Sequence, residues 1–280
     1  MGRRVTLVGR KAPDFLTAAE RQRVEFLRCD LATPRSLHQH ARRIGEASSA
    51  ILAGGFVLGS TRPEDDDLHR SLSTNVLGTA ALLDLLSTHV EWLGYVSTVD
   101  VYGQPDRRLI GESHRTRPGS YYGVSKLAGE GLVRVFAQRR GIPHAVLRLA
   151  QVYGPGDVSR KAIPAFVRAG LTSREITVHG PGTEQRSYLF VDDAVDACIA
   201  ALDKRADGVF NVAGRPVSVL QVAQLTRRLL CLKRPVRRLR GKPRPSLALD
   251  AEAARRVLGF RARTRLDQGL RSVIKELSAV

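Results

Sequence analysis

Short apolar, β-branched runs alternate along the chain with stretches whose apolar positions recur at helical spacing. Val5–Val8, Val24–Arg28, Ala50–Ala53, Leu93–Ser97 and Ala145–Leu149 read as strands, and residues near 34–46, 67–88, 120–140 and 160–172 read as helices. Strand, helix and strand in repeated alternation predict a parallel sheet with covering helices. Gly141-Ile142-Pro143 stops the long helix, since glycine accepts the turn out of it and proline cannot extend it. From about residue 155 the pattern is less regular. Ile176–His179 and Val209–Val212 read as short strands, and helices follow at 218–230, 251–258 and 265–277. Asp192 or Asp193 stands where a carboxylate can cap a helix running to 203. The expected fold class is α/β, a larger α/β part with a smaller C-terminal part.

Composition narrows the class. The 280 residues are 43% hydrophobic and 26% charged, enough apolar content to bury a sizeable core. The longest nearly apolar run, Ala50 to Gly59, is about half a membrane span, so no transmembrane helix is expected. Arg3 and Arg4 precede only a short apolar stretch, which speaks against a secretory signal. Cys29, Cys198 and Cys231 are odd in number and widely spaced, which argues against a disulfide framework and for a reducing, cytoplasmic location. The seven histidines are scattered too, so no metal site is expected.

Charge is unevenly placed. Residues 204–280 hold 19 Lys and Arg against 5 Asp and Glu, so +14 of the net +18 lies there. An anionic partner follows from that bias: a nucleotide diphosphate, a nucleic acid or an acidic surface. An arginine-rich solvated surface accounts for it equally well. The densest stretch, Lys233 to Arg244, lacks the interleaved aromatics on which single-stranded nucleic acid stacks, which weakens the nucleic-acid reading.

The strongest chemical signal is Tyr121-Tyr122-Gly123-Val124-Ser125-Lys126. Tyr122 and Lys126 are four apart and share a helix face. An ammonium beside a phenol favours the phenolate, which predicts a lowered pKa and a general acid/base for a substrate hydroxyl or carbonyl. Leu93 to Thr98 is a buried-type strand ending in hydroxyls, and chemistry in open parallel sheets gathers at such carboxyl ends. Surface packing of the pair and plain capping by the hydroxyls are the simpler alternatives.

Ser97-Thr98-x-x-Val101-Tyr102-Gly103 followed by Tyr122-x-x-Ser125-Lys126 resembles the extended short-chain dehydrogenase/reductases, the NAD-dependent epimerase/dehydratase family of nucleotide-sugar enzymes. Asn75-Val-Leu-Gly78-Thr79, Arg148-Leu-Ala-Gln151-Val-Tyr153-Gly154-Pro155, Gly180-Pro-Gly182 through Arg186 to Asp193, and Asp250 to Phe260 resemble further family segments in order. The resemblance implies a Rossmann-like doubly wound parallel sheet over residues 1–154, N-terminally abbreviated, and a smaller α+β substrate region over 155–280 with some segments returning to the main sheet. It implies Tyr122 as acid/base, Lys126 as its tuner and ribose ligand, and Thr98 as the residue holding the reacting sugar oxygen. Arg10, Asp30, Leu31, Ala53, Gly54 and Asn75 would join Tyr122 and Lys126 around NAD or NADP. Gln151 and Arg186 would meet a nucleotide-diphosphate sugar, with Gln151 standing in place of the family's asparagine. A homodimer through the helices at 67–88 and 120–140 is the family's habit.

The family's opening strand with Gly-x-x-Gly-x-x-Gly has no counterpart at this N-terminus; Val5–Lys11 instead resembles the second strand and its end. Three arrangements remain open. The natural chain starts earlier, or the strand at 4–8 pairs with the one at 49–53, or Val5–Gly9 takes the first position with Asp30 serving the ribose. If Val5–Val8 is the second strand, Arg10 and Lys11 favour a ribose 2′-phosphate and so NADP. The position after Thr98 is Val99, which cannot donate a proton, so 4,6-dehydration is disfavoured. The expectation is a nucleotide-sugar epimerase or 4-keto reductase. The alternative is a non-catalytic or cofactor-impaired member binding nucleic acid or acting as a regulator.

Overall fold

The computed structural model describes residues 4–13, 16–33, 35–57, 65–86, 89–105, 109–173 and 175–279. The N-terminal half runs β1 (Val5–Gly9), α1 (Ala18–Arg21), β2 (Val24–Arg28), α2 (Arg35–His38), α3 (Ala41–Gly45), β3 (Ser49–Leu52), α4 (Leu68–Arg70) and α5 (Gly78–Leu85), with a π-helical turn, Ser71–Leu77, between the last two. Next come β4 (Trp92–Thr98), a 3-10 turn (Val99–Tyr102), α6 (Tyr121–Arg140), β5 (His144–Leu149), β6 (Gln151–Tyr153) and α7 (Ala162–Thr172). The chain continues as β7 (Thr177–His179), β8 (Gln185–Phe190), α8 (Val191–Asp203), β9 (Gly208–Val212), β10 (Pro216–Ser218), α9 (Val219–Leu229), β11 (Arg237–Leu239) and α10 (Leu266–Leu277). The helix expected over 34–46 is two short pieces, and residues 34, 87 and 88 of the expected helices lie outside the described residues.

The main sheet is parallel, in the order β3-β4-β5-β9. Its strands are buried on both faces, as parallel strands under crossover helices must be. Leu93 and Tyr95 pack with Ile44, Leu83 and Val133 on one face. Trp92, Leu147, Leu149, Phe210 and Val212 pack with Ala194, Ala197 and Ala201 of α8 on the other. That two-residue alternation is the strand period itself. Burying a side chain such as the fully covered Leu93 contributes about 1.5–3 kcal/mol. A third cluster, with Phe166, Val167, Val222, Leu270 and Val273, lies among α7, α9 and α10 beside the three-stranded sheet β10-β8-β6.

The N-terminal strands correct one expectation. β1 and β2 pair in parallel from Val5 opposite Val24 to Gly9 opposite Arg28. Among the described residues no ladder joins β1 to β3, so the closed arrangement pairing those two strands is not formed. The sheet is divided, and side-chain packing of Leu27 and Cys29 in the cluster of Leu52 spans the division. The expected cap of α8 is also corrected. Phe190 holds the cap position with no side-chain bond. Asp193 instead accepts from the backbone N–H of Arg263 at 2.9 Å and of Thr264 at 3.1 Å.

Candidate active site

β4 delivers Ser97 and Thr98 to the carboxyl end of the main sheet, both buried. The Thr98 hydroxyl accepts from the Asp100 N–H at 3.2 Å and caps the 3-10 turn, the capping role foreseen as the simpler alternative. It also lies 3.3 Å from the Asp100 carboxylate, to which it donates.

α6 carries the tyrosine and the lysine. Ser120 caps it by accepting from the Gly123 N–H at 3.0 Å. Asp66, 55 positions before Tyr121, accepts from the N–H groups of Tyr121 at 2.8 Å and Tyr122 at 3.0 Å. A carboxylate on free helix N–H groups favours the first turn electrostatically. Gly141, at φ 64, ends the helix in the left-handed conformation that glycine adopts without strain. The buried face runs Tyr122, Ser125, Lys126, Gly129, Glu130, Val133 and Ala137, steps of three and four along one flank. A Cβ on Gly129 would overlap the Tyr95 hydroxyl, so only glycine lets α6 sit this close to β4.

Tyr122 and Lys126 are therefore on one face and both buried, at 7% and 4% exposure. Their electrostatics differ from the expected lowering. Burial raises the Tyr122 phenol well above the ordinary tyrosine value, Asp100 raises it further, and only a hydrogen bond with Thr98 opposes them. Burial also pulls the Lys126 ammonium down to about 8, with Glu130 opposing. The ammonium lies 4.3 Å from the centre of the Tyr95 ring, a cation–π contact. Desolvation is the largest cause of both shifts.

Asp100 was not singled out by sequence. Burial lifts its carboxyl above the usual range, while Lys161, Thr98 and Arg186 pull it back. Arg186 of β8 is thereby brought to the same electrostatic neighbourhood; its Nη1 donates to the Gln185 carbonyl at 3.1 Å. Gln151 stands half-buried at the start of β6.

Asn75 ties a loop to the helix. Its Nδ2 donates to the Ser125 hydroxyl at 2.9 Å and the Phe56 carbonyl at 3.1 Å, and its Oδ1 accepts from the Phe56 N–H at 2.7 Å. A Cβ on Gly55 would stand 2.7 Å from Asn75 Oδ1, which the Phe56 N–H holds in place, whereas one on Gly54 would meet only the tip of Leu31. Ala53 is exposed at the end of β3. Asp30 and Leu31 stand just beyond β2, where Asp30 Oδ1 accepts from the Ala32 N–H at 2.9 Å. Arg10 is exposed after β1.

These positions fit one end of a nicotinamide dinucleotide. Asn75 and the Lys126 ammonium stand beside Gly55, one helical turn from Tyr122, a donor set suited to a ribose and its ring. The pyrophosphate end does not fit the described residues. β1 leads into Arg10 and Lys11 and then a four-residue α1 with no buried side chain, not a glycine turn with converging N–H groups. The described residues hold no metal-ligating cluster and no helix long and apolar enough to cross a membrane.

The sequence profile of the NAD dependent epimerase/dehydratase family matches residues 1–213. The "Uncharacterized UDP-glucose epimerase YtcB" of Bacillus subtilis (strain 168) is 29% identical over 219 residues, 76% of this chain and 69% of that protein. A Bos taurus "dTDP-D-glucose 4,6-dehydratase" is 33% identical over 153 residues, 54% of this chain; the match spans 43% of that enzyme, less than half its length. Among solved structures, "MoeE5 in complex with UDP-glucuronic acid and NAD" is 30% identical with a TM-score of 0.81, covering 99% of this chain and 92% of that one. The UDP-glucose 4-epimerase of Thermus thermophilus, in complex with NAD, shares the fold at a TM-score of 0.81 and 20% identity, over 98% of this chain and 99% of that one.

Proposed function

The chain belongs to the NAD dependent epimerase/dehydratase family, and we propose on that premise that it is a nucleotide-sugar 4-epimerase or 4-keto reductase. The observation that carries the reading is the burial of Thr98, Tyr122 and Lys126 together where β4 ends and α6 begins. In keto reduction the Tyr122 hydroxyl donates its proton to the sugar oxygen, and its raised pKa keeps that proton in place; in epimerisation the phenolate first takes the sugar hydroxyl's proton and then returns it. Thr98 orients that oxygen by hydrogen bonding. Lys126, Asn75, Gly54 and Ala53 line the nicotinamide ribose, and Asp30, Leu31 and Arg10 lie toward the adenosine. NAD or NADP, when bound, would take the hydride and return it in epimerisation, or give it from the reduced form in keto reduction. The Arg186 fork holds the diphosphate of the sugar nucleotide, and Gln151 contacts its sugar. Val99 offers no acid to a leaving hydroxyl, which favours epimerisation or keto reduction over dehydration.

Exposed apolar side chains at Leu72, Leu77, Tyr121, Val124 and Val135 support a homodimer through the helices they stand on. Three unpaired cysteines support a cytoplasmic location.

The second reading is a cofactor-impaired member acting by binding alone. It is favoured by the missing pyrophosphate cradle after β1 among the described residues. Titrating the folded chain with NADH and NADPH and assaying UDP-glucose and UDP-glucuronic acid turnover separates the two. The enzyme reading expects dinucleotide binding and turnover that falls about 10²–10⁴-fold in Tyr122→Phe. Failure to bind either dinucleotide overturns it.

A further inference from the structure

A cavity of about 1120 Å³ opens between β10, α9 and the segment leading into α10, and none of Thr98, Tyr122, Lys126 or Arg186 lines it. Five arginines do: Arg215, Arg228, Arg263, Arg265 and Arg271, against the single carboxylate of Asp267. That carboxylate is taken by Arg265, at 3.0 Å. The other four guanidinium groups have no acidic partner among the described residues. Like charges gathered round one concave space repel unless an anion joins them.

One feature marks the cavity as built. The segment bearing Arg263 and Arg265 is pinned by Asp193, itself 3% exposed, through the N–H groups of Arg263 and Thr264. Tyr188, 6% exposed, also lines the cavity, but its hydroxyl is fully covered and feels the charges of Arg186 and Glu184. Tyr153, Leu225 and Leu229 add an apolar wall.

We propose that this cavity binds a small anion carrying two or more linked phosphates, at a site separate from the residues proposed for catalysis. Guanidinium forks match phosphate oxygens two at a time, and four forks without an acidic partner around one cavity suit a polyphosphate better than a single carboxylate. The concave shape suits a small ligand rather than a nucleic-acid strand, which would need an open groove with stacking platforms. The excess charge of the C-terminal region thus acquires a local use that the proposed sugar chemistry does not need.

The test is calorimetric titration of the whole chain with inorganic pyrophosphate, and separately with ADP. Three variants accompany the wild type: Arg228→Glu with Arg263→Glu, Tyr188→Phe, and Arg186→Ala. The expected result is a binding event that Arg186→Ala retains and the double charge reversal weakens at least tenfold. Both reversed arginines are exposed, and an unchanged melting temperature shows that their loss acts on binding. Tyr188→Phe is expected to leave the event unchanged, because that hydroxyl is covered and not open to the cavity; a several-fold loss there would put the ligand on the Arg186 side and overturn the separate site. ADP binding more tightly than pyrophosphate at this site makes the ligand a nucleotide; equal affinities make it an inorganic polyphosphate. Pyrophosphate binding abolished by Arg186→Ala and indifferent to the double reversal overturns the proposal. So does a double reversal that lowers affinity for an RNA oligonucleotide and leaves pyrophosphate unaffected. The Arg186→Ala arm reports on the catalytic reading independently.

Discussion

The Glu130 carboxylate accepts two hydrogen bonds from the Arg148 guanidinium, from Nε at 3.0 Å and from Nη2 at 2.7 Å, one helical turn beyond Lys126. Both residues are buried, and the network continues from Arg148 Nη1 to the Tyr102 hydroxyl at 3.0 Å and from there to Asn211 at 2.8 Å. Removing one partner leaves the other charge buried and alone. Glu130→Gln is expected to lose about 3–5 kcal/mol in urea unfolding. An unchanged midpoint would show that this pair adds nothing to stability.

Burial lowers the Lys126 pKa from its ordinary 10.5 to about 8. Between those values the unfolded chain binds more protons than the folded one, so this residue makes stability rise with pH across that window. Below about 8 both states are charged and the full penalty is present. Lys126→Met is expected to be more stable than wild type at pH 7 by up to about 3 kcal/mol. The margin should shrink as the pH climbs toward the ordinary lysine value. A margin constant with pH contradicts the assignment.

Asp100 raises the Tyr122 pKa by its charge. Asp100→Asn removes that charge, so the phenol should ionise at lower pH. The ultraviolet absorbance of tyrosinate, compared with a Tyr122→Phe control, reads the change directly. A superimposable titration in the Asn variant would sink the coupling.

A methyl group at position 55 would stand 2.7 Å from Asn75 Oδ1, where the Phe56 N–H now donates. Gly55→Ala should therefore cost ~1–3 kcal/mol and lower the melting temperature. It should also weaken dinucleotide binding, since Asn75 holds Ser125 of the α6 face. Wild-type melting and wild-type binding together would refute the clamp.

The strands and helices that sequence made legible are those with strong local periodicity and clear stops. Val24–Arg28 is a strand as expected, and the long helix ends at Gly141. The shorter strands were hidden because their partners define them. Gln185-Arg186-Ser187-Tyr188 has no apolar alternation, and it becomes a strand by pairing with β10 and β6. Asp193 looked like a local cap because its partners, Arg263 and Thr264, stand 70 and 71 positions away. In the candidate site, spacing placed Tyr122 and Lys126 on one flank but carried no information on how dry that flank is. Dryness reversed the expected direction of the phenol shift. Asp66 and Asp100 carry no motif of their own, and only folding brings them to Tyr122.

The parallel pair of β1 and β2 is attached to the remainder by packing and loops, with no shared ladder to β3 among the described residues. Edge amides not bonded to a neighbouring strand have little to resist separation. Such a unit can detach while the centre of the molecule stays intact. Deuterium should therefore enter Val5–Gly9 and Val24–Arg28 long before it enters Trp92–Thr98. Whatever grips the adenosine side of a cofactor would then act as a fastener, and occupancy there would slow the exchange.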